Sequence, residues 1–344
     1  MKAFVVQRYG KDGLQSATLP EPIPGPRDLL VRVSAASINP LDKLIRDGDF
    51  KRLIKRKPPF VLGHDMAGVV IGVGTEVEGF KVGDEVYARP RDLRAGTFAE
   101  LIAVDQSDVA LKPTTLTLEE AAAVPLVALA AWQILVDRAH VQPGQKVLVH
   151  AGAGGLGSTV IQLAKHLGAT VATTSSAATT ELVRSLGADI VIDYATQDFT
   201  KELSDFDLVV DSLGGKNLER SLTVLKPNGL AIGVAGPPDS AFAKQVGAPA
   251  ILGFVMNQVS RKVRKQAERL GVRYEFLYMQ ASGSQLRELA ALYDAGTLRP
   301  VIDRTFPFAE TADALAYVEE GRTRAGKVVV SMEPQPRTEA AATG

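Results

Sequence analysis

Apolar residues follow two different rhythms along the chain. Up to about residue 120 they come in short runs, Lys2 to Gln7, Leu29 to Ala35, Gly68 to Val73 and Glu85 to Ala88, each bounded by Gly, Pro or Asp. Such runs predict strands. From residue 146 onward, apolar runs alternate with helical spacing. Lys146 to Ala151, Ala169 to Thr174, Ile190 to Asp193, Asp207 to Asp211, Leu230 to Ala235 and Val272 to Met279 read as six strands. Ser158 to His166, Glu181 to Leu186, Asn217 to Leu225 and Ile251 to Leu270 read as helices between them. That alternation predicts an α/β fold built on a doubly wound parallel sheet.

The remaining segments refine this division. Pro20, Pro22, Pro24 and Pro26 predict a stiff, extended first connection. Glu119 to Ala139 is alanine-rich and apolar on every side, predicting a buried helix pair interrupted at Pro125. The basic stretch Lys51 to Lys57 predicts a solvated helix or loop. In the helix Ile251 to Leu270, the stripe of Ile251, Val255, Val259, Val263, Ala267 and Leu270 is expected to face the core, with Arg261, Lys262, Arg264 and Lys265 in solvent. After a helix from Gln285 to about Gly296, the runs Val301 to Phe308, Thr311 to Glu320 and Lys327 to Met332 read as strand, helix, strand. They are too few to form a domain alone and are expected to return to the N-terminal strands. The expected division is therefore 1–121, 122–282, a return over 283–332, and a disordered tail over 333–344.

The first strand of the alternating half runs straight into Gly152-Ala153-Gly154-Gly155-Leu156-Gly157, which fits G-x-G-x-x-G, and a helix follows. Glycine permits the tight bend, lets backbone approach a pyrophosphate and lets helix and strand pack closely, with the helix N-terminus facing the anion. Strand before and helix after are the context that makes this motif a dinucleotide site.

Charge narrows the partners. Lys plus Arg and Asp plus Glu both total 39, so the balance offers no case for nucleic acid or an anionic membrane. Cysteine is absent, which removes disulfides, thiol nucleophiles and cysteine-ligated zinc. The apolar run at Met1 to Val6 is short for a signal peptide, and cytoplasm is the default expectation.

Several motifs in order resemble the medium-chain dehydrogenase/reductase superfamily, in its zinc-independent quinone oxidoreductase (zeta-crystallin-like) branch. They are Ser37-Ile38-Asn39-Pro40-Leu41-Asp42, Leu62-Gly63-His64-Asp65-Met66-Ala67-Gly68, Val82-Gly83-Asp84-Glu85-Val86, Gly96-Thr97-Phe98-Ala99-Glu100, the glycine turn, Gly187-Ala188-Asp189 and Gly326-Lys327-Val328-Val329. The resemblance implies a GroES-like β-rich domain plus a Rossmann domain, a substrate cleft between them, and a homodimer joined through the edges of the Rossmann sheets. Zinc members of the superfamily carry a cysteine where Asn39 stands and a histidine where His64 stands; only His64 survives here.

An NAD site usually has an acid about 20 residues beyond the glycine turn. Here the second strand ends in Ser175 and Ser176, neutral and hydroxyl-rich, which favours NADP(H). Tyr194 resembles a tyrosine that packs near the adenosine phosphate in relatives. Without metal or cysteine, the chemistry left is hydride transfer to a quinone or α,β-unsaturated carbonyl. Asn39 would donate to the growing oxyanion, and Asp42 would fix that amide or a proton-returning water. The same residues equally suit a turn at Asn39-Pro40 and a helix cap at Asp42. Two alternatives share the fold: a noncatalytic NADPH-binding or redox-sensing protein, and a zinc alcohol dehydrogenase.

Overall fold

In the computed structural model, which describes residues 1–51 and 56–332, the N-terminal strands are β1 (Lys2–Val6), β2 (Leu14–Thr18), β3 (Asp28–Ile38), β4 (Phe60–Val61), β5 (Asp65–Val73), β6 (Glu85–Ala88), β7 (Leu101–Asp105) and β8 (Val109–Leu111). Helix α1 (Pro40–Asp47) follows β3; α2 (Leu118–Ala122) and α3 (Pro125–Trp132) lead away from β8. The predicted break falls at Pro125, which begins α3, where its missing N–H costs no helical bond.

The second half contains β9 (Lys146–Val149), α4 (Gly155–His166), β10 (Thr170–Ser175), α5 (Thr180–Ser185), β11 (Ile190–Asp193), α6 (Phe199–Glu202), β12 (Phe206–Asp211), α7 (Gly215–Ser221) and β13 (Leu225–Gly233). Then come α8 (Ser240–Gln245), α9 (Ala250–Val259), α10 (Arg261–Arg269), β14 (Arg273–Phe276) and α11 (Gly283–Asp294). The six strands lie parallel in the order β11-β10-β9-β12-β13-β14, which is the doubly wound Rossmann order. The order reverses beside β9, so the glycine turn at its end sits at the switch point where ligands bind. Val160, Ile161, Leu163 and Ala164 of α4 are buried. Burying a Val, Ile or Leu side chain contributes about 1.5–3 kcal/mol.

The chain closes with β15 (Ile302–Pro307), α12 (Thr311–Glu319) and β16 (Lys327–Ser331). β16 pairs antiparallel with β3, Val329 opposite Ser37, and β15 pairs with β16, so both join the sheet ordered β15-β16-β3-β5-β6-β8. A single apolar core runs from Ala35 and Ala67 through α3 and α4 to Leu286 and Val329, joining the two sheets.

Two readings of the sequence are corrected. The helix over Ile251 to Leu270 is two helices that meet at Ser260, whose hydroxyl turns back to the Met256 carbonyl at 3.0 Å. The bend puts Val263 and Ala267 in the core but leaves Ile251 (71%) and Val259 (59%) in solvent, with Val255 and Leu270 also exposed. The basic stretch is not uniformly solvated either. Residues 52–55 lie outside the described residues, while Arg56 is half-buried over the Phe60 ring and donates to the Val61 carbonyl at 3.0 Å. The expected tail over 333–344 lies outside the described residues.

Candidate active site

Each glycine of the turn has a separate constraint. A Cβ on Gly152 would fall 2.0 Å from the Thr173 hydroxyl, which is held on the Val149 carbonyl, and one on Gly157 would fall 2.3 Å from the Ala151 carbonyl. Those two positions are fixed by packing. A Cβ on Gly154 would meet only the Ala151 oxygen, at 3.3 Å, so this position faces open space over the α4 N-terminus. Ala153 and Gly154 are bonded across to the residue just before the last strand: the Gly326 N–H donates to the Ala153 carbonyl at 2.7 Å, and Gly154 and Gly326 form a parallel bridge. Leu156 packs its side chain on the shared core.

At the C-terminal ends of β10 and β11, Ser175, Ser176 and Tyr194 come together. Ser175 lies opposite Asp193, and the Tyr194 N–H donates to the Ser175 carbonyl at 3.2 Å. Ser175 is buried, and its hydroxyl points to the Ser176 carbonyl at 2.9 Å. Ser176 is half-buried, Tyr194 is exposed, and the Ser176 hydroxyl is shared with Thr179. The neighbouring acid, Asp193, has its oxygens occupied by the Ala195 N–H at 3.0 Å and the Thr196 hydroxyl at 3.2 Å.

Asn39 and Asp42 lie in a buried polar cluster. Asp42 Oδ2 accepts the Asn39 N–H at 2.7 Å, capping α1, while Oδ1 meets His64 Nδ1 at 2.6 Å. Asn39 Nδ2 donates to Asp65 Oδ2 at 2.8 Å and lies 3.4 Å from the Ser37 carbonyl. Asp65 also accepts the Ser37 hydroxyl at 3.0 Å and, on its other oxygen, the Leu126 N–H of α3 at 2.8 Å. Into this cluster comes Lys327, whose ammonium donates to Asn39 Oδ1 and reaches Asp65 Oδ2 at 3.3 Å. Burial pulls the Lys327 ammonium below its ordinary pKa, against the opposing pull of Asp65 and Asp42. Its alkyl chain lies on the glycine turn: a Cβ on Gly155 would be 2.6 Å from Lys327 Cδ.

Between the domains a cavity of about 510 Å³ is lined by Arg89, Asp92, Gln245, Tyr278 and Met279 among others. Phe50 packs against Tyr278, one of the lining residues, with ring centroids 6.3 Å apart. The Tyr278 hydroxyl donates to Asp92 at 2.9 Å, and burial keeps the phenol protonated well above its usual range.

Residues 25–114 match the family described as alcohol dehydrogenase GroES-like domain, and residues 186–330 match zinc-binding dehydrogenase. The mitochondrial NAD(P)H oxidoreductase RTN4IP1 of Danio rerio is 35% identical over 97% of this chain and 92% of its own. The chloroplastic NADPH-dependent alkenal/one oxidoreductase of Arabidopsis thaliana is 35% identical over 96% of this chain and 79% of its own. The solved quinone oxidoreductase from Coxiella burnetii superposes with a TM-score of 0.84 at 30% identity, covering 97% of this chain and 99% of that one. The chain belongs to the medium-chain dehydrogenase/reductase superfamily, in its quinone oxidoreductase-like branch. It is an NAD(P)H-dependent oxidoreductase of that family.

Membership explains which features carry over and which do not. The zinc in one family description finds no donor set: among the described residues no three His, Cys, Asp or Glu side chains converge, and His64 is fully buried with Nε2 unpartnered. No helix among the described residues is long and apolar enough to cross a membrane. Two of the oxidoreductase's relatives are named as mitochondrial and chloroplastic, so membership does not fix its compartment. Sequence reasoning quoted Lys327 and Asp65 only as parts of motifs and passed over Arg89, Asp92 and Tyr278. A lysine opening an apolar strand was the visible signal; its partners lie 262 and 288 positions away.

Proposed function

We propose that the protein uses NADPH to reduce a quinone or an α,β-unsaturated carbonyl, without a metal. The observation that carries this reading is the meeting of the glycine turn with Lys327. It joins a backbone-lined turn suited to a dinucleotide to the polar cluster of Asn39 and Asp65, in a molecule whose interdomain cavity offers hydrogen-bond donors and whose described residues form no metal-ligand set. The turn from Gly152 to Gly157 would hold the pyrophosphate against the α4 N-terminus, with Gly154 at the closest approach. Ser176 would take the 2'-phosphate, Ser175 would support the Ser176 backbone, and Tyr194 would flank the adenosine. The bound reduced nicotinamide supplies a hydride. The protein's own contribution is to orient the acceptor and exclude water.

Asn39 and Asp42 enter this proposal as positioning residues. Both amide hydrogens of Asn39 are directed inward and both oxygens of Asp42 are occupied, so their effect on substrate runs through Lys327 and the start of α1. The test is a screen of NADPH oxidation against quinones, enones and alkenals, with deuterium on the nicotinamide C4. Label arriving on the product carbon of an enone supports the reading. NADPH binding without turnover of any acceptor would make this a binding or sensing protein instead.

We also propose a homodimer. β14 is an edge of the six-stranded sheet, and Arg273 and Glu275 on it line a surface groove together with Asn257 of α9 and Arg261 and Arg264 of α10. The exposed row of Ile251, Phe254, Val255 and Val259 on α9 is the apolar surface a second copy would cover.

A further inference from the structure

The interdomain cavity holds an arginine whose burial hydride transfer does not require. Arg89, one residue past β6, is 1% exposed, yet its guanidinium is only partly matched. Nη2 donates to Asp92, Nη1 lies 3.3 Å from the Pro90 carbonyl, and Nε has no partner. Asp92 is shared: its second carboxylate oxygen accepts the Tyr278 hydroxyl at 2.9 Å, and Arg56 lies 3.5 Å from its backbone carbonyl. The other acids nearby already have partners. Asp65 is bonded to Lys327, Asn39, Ser37 and the Leu126 N–H. Asp42 is engaged by His64 and the Asn39 N–H, and Asp108 holds Arg91 at 2.8 and 2.7 Å. Among the described residues, therefore, the guanidiniums of Arg56 and Arg89 share one nearby carboxylate, Asp92.

A buried guanidinium with an unused donor is costly unless something completes it. The planar fork of arginine matches the bidentate geometry of a carboxylate, as it does that of a phosphate. The cavity wall adds Gln245 and Gln280, and its volume of about 510 Å³ suits a small polar molecule.

We propose that this cavity is a substrate subsite for the acid end of a small conjugated keto acid, its carboxylate bonded to Arg89 and its carbon–carbon double bond held in the cleft. The inference rests on the reduction reading and narrows its substrate class. In the reaction, hydride with its electron pair leaves the reduced nicotinamide and bonds to the carbon β to the ketone. The electrons of the double bond move toward the carbonyl oxygen, and a proton from water then bonds to the α carbon, giving the saturated keto acid and NADP⁺.

The test compares trans-4-oxo-2-pentenoate with its methyl ester. The ester is intrinsically the better electrophile, so a preference for the acid must come from the protein. We expect kcat/KM to favour the acid by about tenfold or more, chiefly through KM, as one charge-assisted hydrogen bond allows. Arg89→Gln should collapse that ratio, and Arg89→Lys should recover part of it. Equal or better use of the ester by the wild type would overturn the proposal, as would an acid preference that survives in a folded Arg89→Gln. Calorimetry with the saturated acid 4-oxopentanoate, added to protein loaded with NADP⁺, separates the two readings. Binding lost in Arg89→Gln without turnover of either acceptor keeps the subsite and ends the reduction reading; no binding to the wild type ends the subsite.

Discussion

The ammonium of Lys327 is bonded to the side-chain oxygen of Asn39, 288 positions earlier in the chain. This contact joins the cofactor turn to the polar cluster under α1, because the lysine stem lies on Gly155 while its head lies between Asn39 and Asp65. Asn39→Ala should therefore weaken NADPH binding as well as turnover. Removing one partner of a buried charge costs about 1–3 kcal/mol. Lys327→Met should do more, since it also leaves the buried Asp65 without its cation and loosens the cluster under the turn. Fluorescence titration with NADPH checks both, and an unchanged dissociation constant in Lys327→Met would remove the lysine from the cofactor site.

Cofactor choice should turn on Ser176. The wild type is expected to bind NADPH more tightly than NADH, because the end of β10 is neutral and Asp193 is internally satisfied. Ser176→Asp would set a carboxylate against the 2'-phosphate and reverse the order, since like charges brought together cost several kcal/mol. Dissociation constants for both nucleotides decide it.

The glycines of the turn should separate folding from binding. Gly152→Ala forces a Cβ against the Thr173 hydroxyl and should cost about 1–3 kcal/mol of stability. Gly154 has φ −71°, which alanine adopts freely, so Gly154→Ala should fold normally yet lose about tenfold or more in NADPH affinity. Thermal unfolding beside a binding titration tests the contrast; equal loss of both properties in the two variants would refute it.

Stability should fall with acid through His150. Its ring is buried between the Thr174 and Ser221 hydroxyls, and burial lowers its pKa from 6.5 to about 4. Asp211 opposes that shift and Arg220 adds to it. The unfolded chain therefore takes up a proton that the folded one refuses. The stabilisation is present above pH 6.5, is lost as pH falls to about 4, and changes no further below that. The integrated effect is of the order of 3 kcal/mol. Denaturant unfolding across this window should show a slope that His150→Gln flattens.

The exposed row on α9 should control assembly. Phe254→Asp with Val255→Asp is expected to convert a dimer to a monomer in light scattering while leaving the circular dichroism spectrum unchanged. A wild type that is already monomeric would end the proposal.

The Rossmann half was legible because its strands are apolar runs separated by helices, so period alone orders them. The N-terminal half was read less completely. Leu14 to Thr18 is mostly polar and becomes a strand only by pairing with Lys2 to Val6, and Leu101 to Asp105 is extended because it lies along Asp28 to Arg32. The spacing of Ile251, Val255 and Val259 correctly signalled a helix but carried no information on whether core or solvent lay against it. In the candidate site, the glycine turn was visible because its constraint is local. The cluster of Lys327, Asn39 and Asp65 was not, because Asn39 and Asp65 meet only when β3 pairs with β5, and Lys327 reaches them only when β16 pairs with β3.

That pairing also sets an order of events during synthesis. The turn, its helix and the six strands around it are complete by Phe276, whereas Gly326 and Lys327 stand at the entry to the final strand of the fold. Domains tend to fold as units while the chain emerges. A nascent chain can thus shape the nucleotide cradle before the lysine that completes it exists, and any product that stops short of Gly326 would lack both the lysine and the backbone bridge at Gly154.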